Sequence, residues 1–98
     1  MVGRLPVSLA VLLVLAAAAC APGGPVGRAQ AQASAGDLEG ARVELERERD
    51  RKPGSVDARV ALGEVYYRIA RDALDREHDE ARYLAFLERS VGEFLTAL

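Results

Sequence analysis

Ala58, Leu62, Val65, Tyr66, Ile69 and Ala73 recur at intervals of three and four residues, the spacing that lines one face of an α-helix. Ser55 stands just ahead of them as an N-cap candidate. A second run, from about Glu80 to the end of the chain, places Leu84, Leu87, Val91, Phe94 and Leu98 on one stripe, with Ala81 and Ala85 beside it. Two helices patterned in this way are expected to pack face to face. Leu38, Ala41 and Leu45 make a thinner apolar face and predict a helix from about Asp37 to Lys52, stopped by Pro53-Gly54. Asp37 suits its N-cap, Glu39 its positive end, and Arg47, Arg49, Arg51 and Lys52 its negative end. The remainder of that helix, "ERERDRK", reads as a solvated face. The expected fold class is all-α, with about three helices.

The chain begins differently. Arg4 is followed by an apolar run, Leu9 and Val11 to Leu15, that fades into Ala16 to Ala19 and ends on Cys20. A run of about ten residues is shorter than the roughly twenty needed to span a bilayer, and this layout is that of a secretory signal over residues 1–19. Ala17 and Ala19 suit signal peptidase, which places the cut before Cys20. Cys20 is the only cysteine, so it cannot close an internal disulfide. No histidine or acidic side chain stands near it to activate the thiol. Lipid attachment accounts for both its position and its solitude, with an intermolecular or free thiol as the alternative. Residues 20–35 continue as "CAPGGPVGRAQAQASA" and hold almost no large apolar side chain. They are expected to be the lipidated cysteine and a flexible tether.

Two resemblances add to this reading. The stretch "LAAAAC" resembles the lipobox of bacterial lipoproteins, with Ala17 standing where leucine is usual. That resemblance implies acylation of Cys20 and a membrane anchor. Farther on, Gly36, Ala41, Pro53, Leu62, Gly63 and Tyr66 resemble in phase the tetratricopeptide repeat, a 34-residue helix-turn-helix unit. In such a unit small residues (Ala41, Gly63) allow close helix approach, large ones (Leu45, Leu62, Tyr66) fill the facing groove, and Pro53 breaks the chain between repeats. The resemblance covers residues 36–98 as one and a half repeats. Arg59 stands at the usual Trp position and Glu48 at that of a small residue, and residues 21–35 offer no recognisable preceding helix. A small residue is expected where Asp75 stands, and the pattern resumes with Ser90, Phe94 and Ala97. Shared between two antiparallel helices, that insertion puts a hairpin tip near "REHD", residues 76–79. A single helix from Val56 to Leu98 is the alternative, since no Gly or Pro marks the tip.

Composition narrows the function classes. The chain has 98 residues and a formal net charge of −2. Arg4 is the only charged side chain before Cys20, so the mature part is slightly more acidic. With no basic patch interleaved with aromatics, nucleic acid is not an expected partner. His78 lies among Asp75, Glu77, Asp79 and Glu80, but one nitrogen donor among neighbours that point in different directions makes a solvated tip rather than a metal site. No catalytic set of Ser, His and Asp or of Cys and His can be assembled around a single histidine. No cofactor is expected. Tyr67, on the face next to Tyr66, is a candidate partner contact.

The function expected is therefore non-enzymatic. The chain reads as an exported scaffold or adaptor, held at the cell membrane or outer membrane through lipid on Cys20 and facing the periplasm. Its concave helical surface would bind a protein or peptide. The alternatives are an accessory domain of a longer envelope enzyme or secretion protein, and a helical-hairpin lipoprotein that oligomerises through the Leu84, Leu87, Val91 and Phe94 stripe. Because the repeat pattern would run on past Leu98, an N-terminal piece of a longer repeat protein is also expected.

Overall fold

The computed structural model describes residues 23–98; the expected signal segment and Cys20 lie outside them. The described residues form four α-helices and no strands: α1 (Gly24–Ser34), α2 (Leu38–Arg51), α3 (Val56–Asp75) and α4 (Glu80–Ala97). Three of the four starts carry the side-chain cap that their sequence calls for. Asp37, Ser55 and Asp79 accept hydrogen bonds from the backbone N–H groups of Gly40, Ala58 and Arg82, at 2.9, 3.2 and 3.0 Å. Each bond satisfies a donor that the first helical turn leaves without a partner.

Helix α1 corrects the expected tether. Its stretch is poor in large apolar residues, but Ala29 and Ala33 lie four apart on one face, and both are buried. Alanine needs no side-chain ordering and lets α1 sit close on its neighbours. A helix of 11 residues is too short to persist alone in water, so packing against α2 and α3 holds it. Its C-terminal end is closed by a Schellman motif. Gly36 takes φ +100°, the Gly36 N–H donates to Ala33 O and the Asp37 N–H to Gln32 O, both at 3.0 Å. Gln32 Nε2 also donates to Asp37 Oδ2 at 3.0 Å, which joins the end of α1 to the cap of α2.

The tip of the α3–α4 hairpin falls at residues 76–79, so α3 and α4 are two helices and not one. His78 makes the reversal with φ +52°, and the Asp79 N–H donates to Ala73 O at 2.9 Å. Pro53 and Gly54 lie in the turn between α2 and α3.

Leu45 and Leu62 are the largest fully buried side chains, and burial of each contributes about 2 kcal/mol. Around them close Ala41, Ala61, Val65, Tyr66, Ile69, Ala70 and Phe86. The Tyr66 and Phe86 rings meet at 5.8 Å with a tilt of 57°, and the guanidinium groups of Arg82 and Arg89 each lie over the Phe86 ring at 4.7 and 4.8 Å. Two ion pairs fix the relative direction of α2 and α4. Glu39 meets Arg82 at 3.3 Å and Arg49 meets Glu93 at 2.7 Å, so residue numbers rise together along both helices. The two hairpins, α1–α2 and α3–α4, thus repeat one another in orientation.

Candidate docking surface

Helix α4 is apolar over much of its circumference, and three side chains decide which part turns inward. Phe86, Ser90 and Glu93 are its buried residues. Ser90 Oγ donates to the backbone oxygen of Gly63 at 2.7 Å. Glu93 accepts from Arg49 Nη1 at 2.7 Å and from Arg59 Nη1 at 3.0 Å, while Arg59 Nε donates to Pro53 O at 3.0 Å. A carboxylate shared by two guanidinium groups is a charge-assisted pairing strong enough to draw the helix face toward α2 and α3.

The consequence corrects the expected packing of α4. Leu84, Val91, Phe94 and Leu98 were expected against the core, yet all four are exposed, and Leu84 keeps 56% of its surface. At 100° per residue the centre of that stripe lies about a third of a turn from the Phe86, Ser90 and Glu93 face. Only Leu87 is partly buried against the core. Leu95, one turn past Val91, joins the exposed stripe with 64% of its surface open.

Gly63 sets how closely the two helices meet. A Cβ at this position would stand 2.9 Å from the Phe94 ring, so the ring lies directly over the glycine of α3. Tyr67, one turn farther along α3, is 44% exposed, and Leu74 also opens to solvent. The same side of the hairpin therefore presents apolar side chains from both helices: Tyr67, Leu74, Leu84, Val91, Phe94 and Leu95. Isolated exposed leucines are ordinary on protein surfaces, but a stripe running the length of a hairpin is a candidate interaction surface.

The other positions read from the repeat phase fall as follows. Ala41, Leu45, Leu62 and Tyr66 are buried, Ala97 is half-buried, and Gly36 and Pro53 are exposed in turns. The charge run of α2 is not wholly solvated. Glu48 is buried and pairs with Arg51 and Lys52, and Arg49 reaches Glu93. Burial disfavours the charge on Arg49, but its hydrogen bonds to Glu93 and Asp50 outweigh that and leave its pKa raised. Tyr66 Oη donates to Glu46 Oε2 at 2.6 Å; burial first, and then that carboxylate, push the phenol up to about 12.

Among the described residues no group of three His, Cys, Asp or Glu side chains could hold a metal ion. No described helix is long and apolar enough to cross a membrane. An open cleft of about 230 Å³ lies beside Gly36 and Leu38, lined on α3 by Arg68, Arg71 and Asp72 and at the hairpin tip by Arg76. No family model, curated protein or solved structure matches the chain.

Two features of this surface escaped the sequence pattern. The inward roles of Glu93 and Arg49 depend on partners 44 residues apart, which no local periodicity reports. Leu95 had a local signal, because it stands four residues after Val91 on the same stripe.

Proposed function

We propose that the chain is a lipid-anchored helical adaptor of the bacterial cell envelope, built as tetratricopeptide-like hairpins and exported to face the periplasm from the cell membrane or the outer membrane. The observation that carries this reading is the exposed apolar side of the α3–α4 hairpin, where Tyr67, Val91 and Leu95 stand open together. Burying such a surface against a protein partner is favourable at about 25 cal/mol per Å² of apolar area. The repeat-like architecture is supported by two successive hairpins of like orientation, the first supplied by α1, and by Gly63 at the close approach of α3 and α4. Anchoring rests on the sequence alone: an apolar leader ending in "LAAAAC" and a cysteine with no other in the chain.

Each half has its own test. Metabolic labelling with a palmitate analogue is expected to mark the wild-type chain and not Cys20→Ala; equal labelling of both removes the anchor. A photo-reactive amino acid at Val91 of the full chain in intact cells is expected to yield protein adducts, while the same group at Glu44, on the opposite hairpin, yields none. Equal yields from the two positions overturn the docking surface.

A further inference from the structure

The geometry points to a second copy of this chain as the occupant of the exposed α3–α4 side. This inference rests on the docking surface just described and names its partner. The apolar positions on both helices are balanced about a common level. On α3, half-buried Val60 and exposed Leu74 stand seven residues before and after Tyr67; on α4 and its C-cap, Leu84 and Leu98 stand seven before and after Val91, with half-buried Leu87 and exposed Leu95 four before and after it. Gly63 lies against Phe94 and accepts from Ser90, and because α3 and α4 are antiparallel this brings Tyr67 level with Val91 to within a turn.

A twofold axis crossing the hairpin between Tyr67 and Val91 lays α3 on its mate and α4 on its mate, each pair antiparallel. It sets Val60 opposite Leu74, Leu84 opposite Leu98 and Leu87 opposite Leu95. This is the self-complementarity that an isologous contact requires. Charge follows the same symmetry. Glu64 and Arg71 stand about equally far before and after the axis on α3, both on the flank away from α4, so Glu64 of one copy faces Arg71 of the other, twice over. Glu64 is exposed and has no ion pair among the described residues, and Arg71 spends its charge on weak exposed contacts to Tyr67 Oη at 3.3 Å and Asp75 at 3.5 Å. Within one copy Glu64 and Arg71 are two turns apart and cannot pair with each other. On α4, Gly92 has open space where a side chain would stand, so it does not hold the second helix off beside Val91.

The test is reciprocal charge reversal in the full chain, with the photo-reactive residue at Val91 and the yield of adduct at twice the chain's mass as the readout. Glu64→Arg alone and Arg71→Glu alone each set like charges opposite one another twice and are expected to lower that yield about fivefold or more. The double reversal restores opposite charges and is expected to return the yield to within about twofold of the parent. Single variants that cross-link like the parent, or a double variant as weak as the singles, overturn the twofold pairing. Adducts only at other masses overturn the second copy and leave the docking surface standing. No adduct of any mass overturns both.

Discussion

Tyr66 joins the core to a carboxylate, and its chemistry makes the fold sensitive to alkali. Its hydroxyl must stay protonated to donate to Glu46, and tyrosinate beside that carboxylate would place two negative charges in contact. The phenol is raised from 10.0 to about 12, so the protonated form favours the folded chain. The sign follows from linkage: the contribution is fully present below about pH 10 and is lost as pH rises through about 12. Urea unfolding followed by circular dichroism is expected to show stability falling across that window in the wild type. Tyr66→Phe is expected to flatten the fall, at a cost of about 1 kcal/mol at neutral pH for the lost hydrogen bond. The burial of Tyr66 follows from its place in the α3 pattern, four residues from Leu62 and three from Ile69. Its partner does not, because Glu46 is 20 residues away on another helix and looks in sequence like any other member of a charged run.

At the scale of elements, α2, α3 and α4 are legible with their caps. The sequence marks Asp37 and Ser55 as N-caps, and each accepts the expected backbone hydrogen bond. Helix α1 was hidden because its buried contacts are alanines, whose methyl groups scarcely register in a hydrophobic pattern. Its signal lay at the other end: a glycine just before an N-cap aspartate is also what a helix needs to finish. Gly36→Ala is expected to destabilise the chain by about 1 kcal/mol, since φ +100° is strained for any residue with a Cβ. Thermal melts should show the lower midpoint, while Gly54→Ala, at a glycine whose Cβ would meet open space, serves as the control. Helix α4 failed to reveal its inner face for the opposite reason. Its apolar arc is wider than the core contact, so periodicity gave the helix and left its rotation to be set by Ser90 and Glu93.

For the whole molecule, α3 is the element every other helix packs on, touching α1, α2 and α4 through Ala61, Leu62, Val65, Tyr66 and Ile69. In stacked hairpins each unit leans only on its neighbours, so stability is highest in the middle and lowest at the free ends. Native-state hydrogen exchange is expected to find the strongest protection in the amides of Ala61 to Ala70 and the weakest among the helices in α1. Uniform protection across all four helices would contradict that gradient. A last consequence concerns mechanics. No Cα of α2 lies within 8 Å of one in α4; what spans the gap directly are ion pairs, Glu39 to Arg82 at one end and Arg49 to Glu93 at the other. Long side chains bridging two rods at both ends act as adjustable stays. The first is exposed and weakens as salt rises, whereas the second is more sheltered and weakens much less. Rising ionic strength therefore loosens the Glu39–Arg82 end of the stack before the Arg49–Glu93 end.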